Sequence, residues 1–147
     1  LFTGDHVLGE GTPFVGSGFG GIFYGVTKEE GKSWWFEGDM DLYMKSLEKL
    51  LSLEIKLILP AHGPVPTDPY GRIVETLERK RFREKRLVEI LREGRKSLET
   101  IINELYGQVN DVYMVRGATL GYLSKLVKEE KAKFTMEKGK LYFELVQ

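Results

Sequence analysis

The stretch IKLILPAHGP, Ile55 to Pro64, decides how the rest of the chain is read. Ile55 to Leu59 is short, mostly apolar and closed by Pro60, the pattern of a buried strand. Ala61-His62-Gly63-Pro64 then reads as a tight turn at that strand's C-terminal end, with a glycine that lets backbone approach a ligand closely. Working back towards the start, residues 39–53 read as a helix. Asp39 suits its cap, Asp41 its first turn, and Tyr43, Leu47, Leu50 and Leu51 form one apolar stripe. Leu1-Phe2-Thr3 reads as the end of a strand already under way inside a larger domain, running into Gly4-Asp5. Strand, helix and strand in this order predict an α/β layer whose loops gather at the strand ends, where sites usually form.

Working forward, Pro64, Pro66 and Pro69 mark a stiff connection. A long charged helix is expected from Arg72 to about Glu93, ended by Gly94. Its apolar stripe enters only in the second half, with Leu87, Ile90 and Leu91. Ser97 suits the cap of a helix with an apolar face of Leu98, Ile101, Ile102 and Leu105, stopped by Gly107. Another helical pattern carries Met114, Ala118, Leu120, Leu123, Leu126 and Val127, although Gly117 and Gly121 weaken it. Phe134 and Met136, then Leu141, Phe143 and Leu145, alternate around Glu137-Lys138-Gly139 as a β-hairpin. Three helices and a hairpin are the plan of a winged helix. Two domains follow: residues 1–70 as an α/β half-domain, and 71–147 as a linking helix with the winged helix.

Composition bounds the function. With 147 residues, 41% apolar and 30% charged, the chain reads as globular. Lys plus Arg and Asp plus Glu number 22 each, so whole-chain attraction to nucleic acid or a membrane surface is excluded. There is no cysteine, hence no disulfide, cysteine nucleophile or thiolate metal site. No apolar run is long enough to span a bilayer, and no secretory pattern opens the chain. A cytoplasmic location and no membrane partner are the expectations.

Only two histidines exist, His6 and His62. Any transition-metal site must combine them with Asp or Glu. Taken alone, His62 is either a hydrogen-bonded turn residue or a ligand, and Asp5 either caps a turn or binds a cation. Adjacent parallel strands would bring the two together. Two donors are still fewer than the three protein ligands a catalytic zinc normally takes.

Three segments resemble, in order, the second half of a metallo-β-lactamase superfamily hydrolase. They are Thr3-Gly4-Asp5-His6-Val7-Leu8-Gly9, Tyr43-Met44-Lys45-Ser46-Leu47 and Leu59-Pro60-Ala61-His62-Gly63-Pro64. The tail from Arg79 resembles the winged-helix tail of one branch of that superfamily, the beta-lactamase-like group. The resemblance implies the C-terminal half of an αββα sandwich followed by a winged-helix domain. It implies that Asp5 bridges two metal ions, usually zinc, and that His62 binds the second. It implies metal-dependent hydrolysis of a small-molecule ester, thioester or phosphodiester. His6 matches no ligand position and is expected at most to support the site or face substrate. The H-x-H-x-D-H signature that supplies most ligands is absent. The chain is therefore expected to be a fragment lacking an N-terminal half, with no certain catalytic residue of its own, no tightly held zinc and no turnover alone. A homodimer covering the exposed sheet face is a further expectation.

A competing reading is a nucleic-acid- or protein-binding winged helix, with Arg116, Lys125 and Lys128 on the binding face. The run Arg79, Lys80, Arg81, Arg83, Lys85 and Arg86 is read as a solvated helix face, because Glu75, Glu78, Glu84, Glu89 and Glu93 interleave with or flank it. Gly16 to Gly21 matches G-x-G-x-x-G and Gly31-Lys32-Ser33 a phosphate-loop ending. Neither has the strand–loop–helix context, and both are rejected. The loop rich in glycine and aromatics, residues 9–38, is left as a lid over the site or as packing.

Overall fold

A computed structural model of the chain describes residues 1–16, 39–108 and 112–146. The phosphate-loop ending, most of the G-x-G-x-x-G match and most of the loop read as a lid or as packing lie outside the described residues. Among the described residues nine elements follow in order. They are β1 (Phe2–Gly4), α1 (Met40–Leu50), β2 (Leu59–Pro60), α2 (Pro69–Arg92), β3 (Lys96–Ser97), α3 (Leu98–Tyr106), α4 (Val112–Lys128), β4 (Ala132–Glu137) and β5 (Lys140–Leu145). Among the described residues, no helix is long and apolar enough to cross a membrane. The chain divides into two compact units, Leu1–Phe14 with Leu42–Phe82, and the described residues of Val15–Asp41 with Arg83–Gln147.

In the first unit β1 and β2 pair in parallel, Phe2 with Leu59 and Gly4 with Pro60. The parallel pairing is the one the sequence predicts. The strand expected over Ile55–Leu59 is found at Leu59–Pro60, so it shares only Leu59 with the expected span and takes in the proline expected to end it. Leu59 N–H donates to Leu1 O, and the Leu1 amino group donates to Leu57 O. Val7, Met44, Leu47, Ile55, Ile58, Ile73 and Leu77 are buried. Phe2 stays 84% exposed, and Leu1 and Leu57 are about half exposed.

α2 starts three residues before the expected Arg72. Asp68 caps it, its Oδ1 accepting from Gly71 N–H at 2.9 Å. Pro69 at the first helical position needs no N–H partner. What reads as a stiff linker is thus a helix start. Arg72, Thr76 and Lys80, four residues apart, lie along one face and are all buried. The solvated face expected over the basic run from Arg79 to Arg86 is corrected at Lys80, which is buried.

In the second unit α3 follows its sequence signals. Ser97 caps it by accepting from Thr100 N–H, and Gly107 ends it at φ 71°. The hairpin turns at Lys138 (φ 48°) and Gly139 (φ 75°), the left-handed pair that a two-residue turn requires. β5 is central, with β4 on one side and the short β3 on the other. Leu87, Leu98, Ile101, Leu120, Leu123, Leu126 and Phe143 are fully or almost fully buried. Gly121, which weakens the helical reading of α4, has a packing reason: a Cβ there would come within 2.5 Å of Val15 O. A small residue is needed where backbone passes so close.

Candidate metal centre

The first unit brings Asp5 and His62 together. His62 Nε2 lies 3.4 Å from Asp5 Oδ1, with both side chains more than two-thirds exposed. The parallel ladder explains the meeting, since each residue follows the end of one strand. Ala61 N–H donates to Gly4 O at 3.0 Å, and Gly9 N–H donates to His62 O at 2.8 Å. His62 is therefore bracketed by two backbone hydrogen bonds to the loop that carries Asp5.

Two glycines permit that approach. A Cβ on Gly9 would lie 2.0 Å from Pro64 O, and a Cβ on Gly63 would lie 2.9 Å from Glu10 N. Gly63 also sits at φ 82°, a conformation other residues adopt at a cost. These contacts give Thr3–Gly9 and Leu59–Pro64 a physical reason to occur together.

α1 holds the same loop. Tyr43 OH donates to His6 O at 2.9 Å, and the two rings meet edge to face with centroids 5.0 Å apart. Ser46 Oγ donates to Tyr43 O at 2.7 Å and lies 2.8 Å from His6 Nε2. With the hydroxyl proton committed to Tyr43 O, Nε2 is the donor to Ser46, which assigns the Nε2–H tautomer. Burial holds the His6 imidazole below its ordinary pKa, and burial, partly offset by Arg72, pushes the Tyr43 phenol well above its own. Thr3 Oγ1 donates to Val7 O at 2.8 Å and closes the turn around Asp5. His6 thus turns to α1, while Asp5 and His62 face solvent.

Donors around a tetrahedral zinc-like ion, with bonds of about 2.0–2.2 Å, stand about 3.4 Å apart. An N–H···O hydrogen bond is shorter, about 2.9 Å. The pair therefore fits two corners of a metal site. Among the described residues, no third His, Asp or Glu joins it, so the donor set is incomplete by itself. What these residues offer is a carboxylate and an imidazole, convergent, solvated and fixed from behind.

The basic residues of the second unit are arranged differently. Lys125 Nζ lies 2.7 Å from both Glu84 and Glu129 and is 9% exposed. Burial opposes its charge, but the hydrogen bonds it donates to Glu129 and Glu84 outweigh it and hold the ammonium above its ordinary pKa. Arg116 pairs with Glu99 at 2.8 Å, and Lys128 with Asp39 at 3.1 Å. Along α2, Arg79 in the first unit pairs with Glu75 and Arg86 in the second with Glu89, as the interleaved charges predict, while Arg81 in the first unit pairs with Glu48 of α1. Lys80 departs from that pattern, since its ammonium donates to Pro13 O at 2.7 Å from a buried position.

Sequence reasoning missed the residues that hold the site. Arg72 and Lys80 carried a signal, a polar line at spacing four beside Ile73 and Leu77. Gly9 carried none beyond its place in the first segment.

No protein-family model matches the chain. A lactamase-like protein of Emericella nidulans is 30% identical over 91% of this chain and 40% of its own length. An atrochrysone carboxyl ACP thioesterase of Claviceps purpurea is 27% identical over 95% of this chain and 41% of its own. A solved beta-lactamase domain protein from Burkholderia ambifaria superposes with a TM-score of 0.74 at 18% identity, over 99% of this chain and 40% of that one. The chain spans about two-fifths of the length of these relatives. With its paired strand-end loops, its mixed α/β fold and these relatives, the chain belongs to the metallo-β-lactamase superfamily.

Proposed function

We propose that this chain is the C-terminal part of a metal-dependent hydrolase, in which Asp5 and His62 would be ligands of a two-metal centre, zinc being the metal expected. The carrying observation is the 3.4 Å approach of an exposed carboxylate and imidazole held by their backbones. A bound divalent metal would supply polarisation of the substrate oxygen and a nucleophile at neutral pH. The chain's own contribution is to orient two ligands, with His6 bonded to α1 and so kept out of the donor set. A small-molecule ester or thioester is the substrate class, supported by the thioesterase name of one relative. The exposed Leu1, Phe2 and Leu57 support a partner layer over the small sheet, the place for the missing N-terminal half.

Zinc chloride titration of the chain, followed on the His62 ring resonances, tests this reading. Weak, saturable binding that disappears in Asp5→Ala supports it, while an unchanged response in Asp5→Ala overturns it. Zinc-dependent thioester hydrolysis is expected only with the remaining ligands supplied. Robust turnover by the 147-residue chain would overturn the fragment reading.

The order α2–β3–α3–α4–β4–β5, with β3 and β4 flanking β5, supports a winged helix in the second unit. Its use as a nucleic-acid module is disfavoured, because Arg116, Lys125 and Lys128 each meet a carboxylate.

A further inference from the structure

We propose that Arg72 is a positioning residue for the Asp5–His62 pair, acting through a single peptide group. The inference rests on the reading of that pair as metal donors. Arg72 lies on α2 and is 7% exposed. Its Nε donates to Leu8 O at 2.8 Å, its Nη2 donates to Gly11 O, and its Nη1 lies 2.5 Å from Glu75 Oε2.

The Leu8 carbonyl and the Gly9 N–H belong to the same planar peptide unit. One end is held by the guanidinium, and the other donates to His62 O at 2.8 Å. Fixing the carbonyl fixes the plane, and the plane fixes the direction of the N–H. A cation on the carbonyl also polarises the peptide and strengthens its donor. The second bond, to Gly11 O, pins the loop on the far side of Gly9. Lys80 repeats the device two turns along, at Pro13 O.

Glu75 completes the arrangement. Its hydrogen bond to Arg72, with Arg79 also close, keeps its carboxyl below the ordinary range, so the buried guanidinium keeps a carboxylate partner. A lysine at position 72 would have one ammonium in place of a planar fork and would reach one carbonyl, not two.

The test uses the 147-residue chain with Arg72→Met and Arg72→Lys. Two quantities are read by NMR: hydrogen exchange of the Gly9 amide, and the His62 ring response to zinc chloride. In Arg72→Met, Gly9 should exchange about tenfold faster, the loss expected for one charge-assisted hydrogen bond. The zinc response should weaken by a similar factor, with the amides of β5 unchanged. Arg72→Lys should fall between Arg72→Met and the native chain. Native Gly9 exchange in Arg72→Lys and Arg72→Met overturns the proposal, as does equal acceleration of Gly9 and β5 in both variants. Asp5→Ala separates the two ideas. If it leaves the zinc response intact, the donor reading fails, and Gly9 exchange alone decides whether Arg72 holds the loop to His62.

Discussion

The two units use polar chemistry in opposite ways. In the second, Lys125 is 9% exposed against the carboxylates of Glu84 and Glu129, and the core around Leu123 and Phe143 is closed. In the first, Asp5 and His62 point outward, and the buried polar groups behind them, Arg72 and Lys80, bond to backbone carbonyls. A unit that satisfies its charges internally is built to stay folded. A unit that fixes its backbone and leaves two metal-competent side chains in solvent suits the ligand-binding role proposed for it.

The largest expected effect tests the first half of that contrast. Phe143 is fully buried at the centre of the three-stranded sheet. Phe143→Ala should cost about 3–5 kcal/mol, the range for truncating a buried aromatic. Urea unfolding followed by circular dichroism gives the number. A loss below about 1 kcal/mol would mean that this core is looser than its burial implies.

Gly9→Ala should come next. The added methyl would sit 2.0 Å from Pro64 O, so backbone must move, at a cost of about 1–3 kcal/mol. Its signature is local, with the His62 and Gly63 amide resonances shifting and those of β5 staying in place. Native spectra around His62 would show that the two loops are not interlocked.

Lys125→Met sharpens the comparison from the other side. It leaves Glu84 and Glu129 without their shared cation, a loss of about 1–2 kcal/mol. The pH dependence has a defined sign. Burial raises the Glu129 pKa, but its bonds to Lys125 and Lys131 prevail and hold it below its ordinary value. A carboxyl with a depressed folded pKa contributes stability above its unfolded value, and that contribution is lost as pH falls through the folded pKa. Native chain and variant should therefore converge in acid, from about pH 4.5 downwards. A constant gap between their melting temperatures there would show that packing, not charge, makes Lys125 matter.

Much of this was legible where one residue type answers one local need. Ser97 and Gly107 bound α3, and Lys138-Gly139 turns the hairpin, because caps and tight turns are decided within a few residues. Asp5 and His62 were legible as strand-end residues, and their meeting follows from parallel pairing. What stayed hidden is non-local. Arg72 reads as one of many charges on α2, because its carbonyl partners lie 61 and 64 residues earlier. The placement of β2 at Leu59–Pro60 was hidden too, since it is set by pairing with Phe2 and Gly4, more than fifty residues earlier. The role of Gly9 depends on a turn more than fifty residues later.

The smallest effect bears most directly on the contrast. Asp5 is 68% exposed, and among the described residues its close ion-pair partner is the His62 imidazole at 3.4 Å. Exposed pairs of this kind contribute about 0–1 kcal/mol. If Asp5 serves a ligand and not the fold, Asp5→Ala should change stability by no more than about 0.5 kcal/mol while removing the His62 response to zinc. The two readouts must part company, as they would not for Phe143 or Lys125. A large stability loss in Asp5→Ala would place the carboxylate among the groups that hold the loop together. The first unit would then spend its polar chemistry on itself, as the second does, and the difference between them would disappear.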